Sequence, residues 1–476
     1  MRLLLRGGRV IDPANNVDAV LDVLIEDGRI AAVGSVRHDE DMHANADANA
    51  DADADADTDA CLSASARTDS ITTVDCRGKI VCPGFVDLHA HLREPGYEYK
   101  EDISSGSHAA AAGGFTTVCC MPNTDPVIDN GAVAGFVRRR AQEIGLVNVL
   151  PIGAITKKQA GEELAEMGEL AAAGCIAVSD DGKPVLRSDV MRHALEYSRL
   201  FGIPVLSHCE DANLSAGQMH EGYYSTVYGL KGIPAESEEI MVARDLILAR
   251  LTGGRLHICH ISTKGALEAV KQAKASGLAV TCEATPHHLA LTDEVVGSYD
   301  TDTKVNPPLR SEEHVAALRE ALASGLIDCI ATDHAPHHFE SKDCEYGLAS
   351  FGISGFETAV AVIMDTLVRP GLLDIARMVE LFTTGPAKVI AEAAADPIAI
   401  PAPGRTVPCL GTLTCGAPAD VTVIDPDMVR TVDPHRFYSR GKNTPFKGME
   451  LKGWPCMTIV GGRIVARDGH VMKQVD

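Results

Sequence analysis

No stretch of this chain approaches the roughly 18 unbroken apolar residues that a membrane-spanning helix needs, although hydrophobic residues make up 45% of it. The opening MRLLLRGGRVIDP carries an apolar patch too short for a secretory signal and runs straight into a charged, strand-like segment. Both observations favour the cytoplasm. Cys-x-x-Cys pairs are also missing. The 14 cysteines are scattered, and Cys119, Cys120, Cys175, Cys259 and Cys329 fall in runs that read as core strands. That pattern fits reduced, buried thiols better than disulfides or a structural zinc knot. Basic residues are outnumbered, 43 Lys and Arg against 66 Asp and Glu, for a net charge of -23. A surplus of that sign argues against a nucleic-acid partner. Nine of the carboxylates lie between Asp39 and Asp59 with no base among them, so the charge speaks more to solubility than to substrate.

At 476 residues the chain exceeds one average domain, which calls for several units or one large barrel with an accessory domain. Residues 1–36 alternate apolar and polar residues between turn signals (RGGRVID, IEDGRIAAVG), as short strands and hairpins do. Residues 38–70 follow as an alanine and aspartate repeat without apolar periodicity. Like-charge repulsion makes a disordered insertion the expectation there, with a helical acidic arm the weaker alternative. From about Lys79, short runs rich in β-branched residues alternate with longer amphipathic stretches: GFVDLHAH, FTTVCCM, VNVLPIG, CIAVSDD, IPVLSH, RLHICH, AVTCEATPHH and IDCIATDH. Eight strands separated by helices predict an α/β fold, a TIM-like (β/α)8 barrel over residues 81–404. After Arg405 the pattern returns to strand and turn, and GGRIVARDG near the end echoes GGRVIDP near the start. The echo predicts that residues 1–80 and 405–476 share one small β domain beside the barrel.

This fold places its chemistry at the C-terminal ends of barrel strands. In GFVDLHAHL, His89 and His91 lie two apart on one strand, so both imidazoles leave the same face and can reach one metal ion. A lone His-x-His is weak, and core or solvent-facing histidines are the bland reading. The other strand ends strengthen it: His208 in VLSHCED, His260 in HICHIS, Asp333 in ATDHAPH and the pair Asp180-Asp181. Four histidines and two carboxylates are too many for one catalytic zinc, which typically keeps three protein ligands and a water. They suit two metals with a bridging group. Asp181 or Asp180 can supply that bridge, and strand parity does not choose between them. Lys183, if carbamylated, is a weaker rival because it lies beyond Gly182 in a turn. By alternation His257 should face the helices and His334 should turn away from Asp333, leaving both structural.

The segment GFVDLHAHLREPG, followed by GGFTTV, MPNT, SDDG, SHCED, CHIST, TPHHL, VNPPLR and ATDHAPH, closely resembles the amidohydrolase superfamily and, within it, the type I dihydroorotases of bacteria. The likeness runs from about Val81 to Pro386, with a weaker tail at GTLTCGAPADVTVID. It implies a barrel, a flanking β-sandwich built from both termini, and two zinc ions per subunit. Carried over by motif, His89 and His91 match ligands of the first zinc with Asp333 beside them, His208 and His260 match ligands of the second, and Asp181 matches the bridging position. Asp333 also corresponds to the catalytic acid/base. Arg93, Asn123, Asn306 and His337 match substrate-binding positions, with the backbone around Phe351-Gly352 closing over the ring.

The implied activity is the reversible interconversion of N-carbamoyl-L-aspartate and (S)-dihydroorotate in de novo pyrimidine synthesis. Arg93 would grip the substrate carboxylate through its planar fork. Asp333 would take a proton from the attacking water and return it to the ring nitrogen. A homodimer and docking onto aspartate transcarbamoylase are the protein partners the resemblance raises. Sibling cyclic amidases acting on hydantoins, dihydropyrimidines or allantoin usually bridge their metals with a modified lysine, and SDDG and HLREPG tilt against them. A non-catalytic relative tends to lose ligands, whereas all six are present here.

Overall fold

The computed structural model describes residues 2–35, 71–391 and 409–473. The expected acidic insertion at 38–70 and the proline-rich stretch at 397–408 therefore lie outside the described residues. What is described is a mixed α/β fold.

At the N-terminus β1 (Arg2–Asp12) pairs antiparallel with β2 (Val17–Glu26), which folds onto β3 (Arg29–Gly34). The β2–β3 turn is Asp27-Gly28 with φ of 49° and 79°. Two left-handed residues match the twist of a tight hairpin, which is why Asp-Gly serves there. β4 (Ile71–Asp75) and β5 (Ile80–Pro83) then pair parallel with β1, one after the other along its length. β5 runs to Pro83 with its other edge also paired within this sheet.

The central part is parallel. β6 (Phe85–Ala90), β7 (Phe115–Cys120) and β8 (Asn148–Pro151) form one sheet. β9 (Val178–Ser179) and β10 (Val205–Ser207) begin a second; the small pair β11 (Met219–His220) and β12 (Gly232–Ile233) lies in the excursion after β10; and β13 (Leu256–Ile258), β14 (Val280–Ala284) and β15 (Cys329–Ile330) complete it. Single parallel bridges join the two sheets at both edges, Gly153 to Val178 and Ala90 to His334, so the order of pairing returns to β6. Helices connect the strands. The helix Lys264–Ala275, for example, starts where the Thr263 side chain accepts from Ala266 N, satisfying a donor the helix leaves free.

Residues on or just beyond these strands, among them Val86, Leu88, Cys119, Leu206, Cys259 and Cys329, pack into one buried cluster. The described cysteines are free thiols, and Cys119, Cys120, Cys175, Cys259 and Cys329 are all buried, as the composition suggested. Burial pushes the Cys175 thiol up to about 12, which keeps it protonated and inert. No helix among the described residues is long and apolar enough to cross a membrane.

The chain then returns to the first sheet. β16 (Val421–Thr431) pairs antiparallel with β5, and β17 (Glu450–Val460), β18 (Arg463–Arg467) and β19 (His470–Val471) continue outward, giving nine strands drawn from both ends of the chain. The β17–β18 turn is Gly461-Gly462 with φ of 52° and 77°, the counterpart of Asp27-Gly28. A Cβ on Gly28 would stand 3.0 Å from Gly461 O, so the two hairpin turns touch.

Candidate metal centre

β6 is stitched to the segment after β15 by Asp87, whose carboxylate accepts from Thr332 N, Thr332 Oγ1 and His89 N. Burial pushes Asp87 up to about 7. This tie holds the ends of the first and last strands together, and the chemistry-bearing side chains gather there.

His89 is fully buried, and its Nδ1 lies 2.8 Å from Glu283 Oε1. Glu283 takes the ring N–H, so the Nε2 lone pair is turned the other way, 3.4 Å from Asp181 Oδ1 and 3.6 Å from Asp333 Oδ1. His91 repeats the arrangement. Its Nδ1 lies 2.9 Å from Asn123 Oδ1, and its Nε2 lies 3.1 Å from Asp333 Oδ1 and 3.4 Å from Asp181 Oδ2. His208 Nδ1 stands 3.4 Å from Asp181 Oδ1 and 2.9 Å from His260 Nε2, while its Nε2 meets Glu210 Oε2 at 3.2 Å. His260 Nε2 is 3.6 Å from Asp181 Oδ1. All six residues named from the strand ends are thus brought together.

Lone pairs of neutral imidazoles facing carboxylate oxygens repel unless a cation sits between them. Among the described residues, His89 Nε2, Asp181 Oδ1 and His260 Nδ1 are also buried without a hydrogen-bond partner, which a protein rarely leaves standing. His89, His91 and Asp333 form one group whose ligand atoms lie within 4.8 Å of each other, and His89, Asp181 and His260 form another. The donor set fits metal ions. Without a metal those cations are protons: although burial opposes it, the aspartates hold His89 well above its usual range and the imidazolium forms in turn hold the carboxyls of Asp333 and Asp181 well below theirs, and a metal ion would take the place of those protons.

The alternatives left open by parity now separate. Asp180 is taken up by the backbone: its carboxylate accepts from Ile155 N at 2.9 Å, Thr156 N at 3.1 Å and the Thr156 hydroxyl. Asp181 is the carboxylate that meets the histidines. Lys183 is exposed, beyond Gly182 at φ 73°. Strand alternation misplaced His257, which does not face the helices: its Nε2 lies 3.0 Å from Glu283 Oε2 and its Nδ1 2.8 Å from Thr281 Oγ1, so it shares Glu283 with His89. Counting back from His260 fails because His260 lies beyond the end of β13 at φ 32°. His334 turns away as expected, with Nε2 3.2 Å from Glu101 Oε2 and its ring stacked on Phe356 at 4.1 Å.

Arg93 does not reach the site by continuing a strand face. β6 ends at Ala90, and Arg93 has φ 61°. It is half-buried with Nε unpartnered, and burial lowers its pKa while Asp333 and Asp181 oppose that shift. Asn306 Nδ2 donates to Glu210 at 3.2 Å. His337 Nε2 donates to Phe351 O at 2.8 Å, leaving its Nδ1 without a partner, and Gly352 N donates to Lys304 O at 2.9 Å. Sequence reasoning missed Glu283 and Glu210, which fix the orientation of His89 and of His208 and Asn306. The available signal for Glu283 was a lone charge inside the apolar run AVTCEA.

The fold is of the amidohydrolase type. An L-hydantoinase (dihydropyrimidinase) from Arthrobacter aurescens superposes with a TM-score of 0.80 at 25% identity, covering 99% of this chain and 97% of that one. A dihydropyrimidinase from Brevibacillus agri shares the fold with a TM-score of 0.77 at 20% identity, covering 99% and 96%. Within that class the sequence is more particular. Residues 78–266 match the family model described as dihydro-orotase-like. The dihydroorotase of Pelotomaculum thermopropionicum is 51% identical over 98% of this chain and 99% of its own, and that of Anaeromyxobacter dehalogenans is 52% identical over 97% of each. This chain belongs to the dihydroorotase family.

Proposed function

We propose that the chain interconverts N-carbamoyl-L-aspartate and (S)-dihydroorotate, as a type I bacterial dihydroorotase of de novo pyrimidine synthesis working in the cytoplasm. The observation that carries this reading is the convergence of four imidazoles and two carboxylates on one buried point, their lone pairs facing each other across 3.1 to 3.6 Å. The fold reading is a closed (β/α)8 barrel from about residue 85 to 391, supported by a pairing order that returns to its first strand. Beside it, the described residues 2–35, 71–83 and 409–473 form a β-sandwich around a shared core of Leu3, Val23, Val81, Val421 and Ile459.

Two zinc ions would be held by His89, His91 and Asp333 on one side and by His208 and His260 on the other, with Asp181 between. Ions bound there would lower the pKa of a water toward neutrality and polarise the amide carbonyl. The chain's own groups do the rest. Asp333 accepts the proton of the attacking water and returns it to the ring nitrogen as the amide opens, and the reverse order closes the ring. Arg93 forks onto the substrate carboxylate. Asn306, Asn123 and His337 orient the ring, and the Phe351-Gly352 turn covers it. Asn306 is itself held by Glu210, which supports that role.

The substrate is a small molecule. A homodimer and an association with aspartate transcarbamoylase are the partners to look for, and sizing alone and in a mixture with that enzyme reads both. The deciding experiment is ring opening of dihydroorotate with and without chelator, accompanied by a metal count, with hydantoin and allantoin as competitors. Dihydroorotate should be strongly preferred, and activity should fall with metal content. Preference for hydantoin, or full activity in metal-free protein, would overturn the reading.

A further inference from the structure

Between β16 and β17 the chain leaves the nine-stranded sheet and lays residues 437–444 across the loops that follow β15. Tyr438 N and Ser439 N donate to Glu357, Ser439 Oγ donates to Glu101 Oε2, and Arg440 pairs with Asp102. Gly441 comes so close that an added Cβ would stand 2.5 Å from Pro336 Cβ and 2.9 Å from His337 N. Asn443 is buried at the end of this strap, 6% exposed. Both ends of its amide are used, and they reach two different loops. Oδ1 accepts from His337 N at 3.1 Å, and Nδ2 donates to Gly352 O at 2.8 Å. Its own carbonyl accepts from Ser354 N at 2.8 Å, which seats the backbone at this end of the strap.

We infer that Asn443, contributed by the C-terminal sheet region, is a positioning residue for substrate: by bridging His337 N and Gly352 O it sets the gap between the His337 loop and the Phe351-Gly352 turn. The chemistry favours an asparagine. One donor and one acceptor on a short planar group meet a backbone N–H on one side and a backbone C=O on the other. His337 Nε2 closes the same circuit onto Phe351 O, so a shift of either loop misplaces the His337 ring. Asn443 acts through these neighbours, its hydrogen bonds running to His337, Gly352 and Ser354, so it should govern substrate binding and leave the proton transfer at Asp333 intact. The inference rests on the proposed function for the roles of His337 and Gly352.

The test is steady-state kinetics of the metal-loaded full chain in both directions, with zinc content and thermal unfolding in parallel. Asn443→Ala should raise KM for dihydroorotate and for N-carbamoyl-aspartate at least about tenfold, with kcat within about threefold and zinc unchanged. Asn443→Asp has the same shape and keeps the acceptor for His337 N, but sets a carboxylate oxygen against Gly352 O in place of the donor; it should shift KM in the same direction and serves if the alanine variant does not fold. Arg440→Ala loosens the strap at its exposed end without touching either loop and should leave KM unchanged. Unchanged KM in both Asn443 variants overturns the inference. So does an equal rise in Arg440→Ala, or a loss that falls on kcat together with zinc, since either marks Asn443 as merely structural. A wild-type protein that does not open dihydroorotate rejects the functional reading itself, and the two failures are told apart by that control.

Discussion

Asp333 sits where two requirements meet: it must be anionic to help hold metal and must accept and release a proton during turnover. Its contacts with His91 at 3.1 Å and His89 at 3.6 Å serve the first and are shared with Asp181, which touches the same imidazoles. Asp333→Asn keeps the shape and a ligating oxygen but removes the base. Turnover should fall by about 10³-fold, in the range of lost acid/base catalysis, while zinc content stays near wild type. Appreciable turnover in that variant would remove Asp333 from the proton path. Arg93 is a cleaner case of binding, since its half-buried guanidinium has an Nε with no hydrogen-bond partner among the described residues. Arg93→Met retains the apolar stem, and KM for dihydroorotate should rise about 10- to 100-fold for the loss of a charge-assisted pair, with metals unaffected. A KM within twofold of wild type would count against the carboxylate clamp. Residues of this kind were legible because their type is rare at strand ends and repeats from strand to strand. Glu283 was not, since one buried carboxylate in an apolar run shows its purpose only when His89 and His257 are seen on its two oxygens.

Strand ends, more than strands, shape the site. His260 at φ 32°, Asp333 at φ 46° and Arg93 at φ 61° all sit just beyond their strands in left-handed backbone that non-glycine residues seldom adopt. Such strain is retained where surrounding structure over-determines it, and it commonly marks function. It also explains which expectations failed. Alternation along a strand predicts facing only while the strand lasts, so His257, counted back from a residue past the strand end, was assigned by a rule that no longer applied. The Asp180-Asp181 ambiguity has the same origin. The turn at Gly352 carries the idea further, with φ 127° and a Cβ position 2.6 Å from Ala335 O. Gly352→Ala would strain the backbone and push against a carbonyl, at a local cost of about 1–3 kcal/mol. The loop can relax only by moving Phe351 and His337, so KM should rise about tenfold or more while zinc content holds. Kinetics indistinguishable from wild type would mean that this turn does not line the bound ring.

At the scale of the whole molecule, the chain closes on itself: both termini build one sheet, and that sheet returns the 437–444 strap to the loops around the site. The repeated GGR segments made the shared sheet legible, although only Gly461-Gly462 is a hairpin turn and Gly7-Gly8 lies within β1, where its register against β2 shifts. The strap was not legible, since YSRGKN has neither periodicity nor a chemical motif, and its meaning lies in residues about a hundred positions away. The seam under the strap offers a measurement of how the two parts are coupled. Glu357 lies there, accepting from Tyr438 N at 2.7 Å and Ser439 N at 3.4 Å, and burial raises it from its ordinary value near 4.5 to about 8, with the two backbone donors only partly offsetting the shift. A carboxyl raised on folding keeps a proton that the unfolded chain has already released. Between about pH 4.5 and pH 8 the native state therefore binds more protons than the unfolded state, and the contribution of Glu357 to stability falls as pH rises through that window and levels off above it. Glu357→Gln cannot ionise. Its stability relative to wild type should improve steadily from pH 5 to pH 8, by at most about 1.4 kcal/mol per pH unit, and then hold constant. Denaturant unfolding of metal-loaded protein at stepped pH reads the difference directly. A gap between the two proteins that stays flat across the window would show that Glu357 ionises freely in the folded chain and that the seam is open to water.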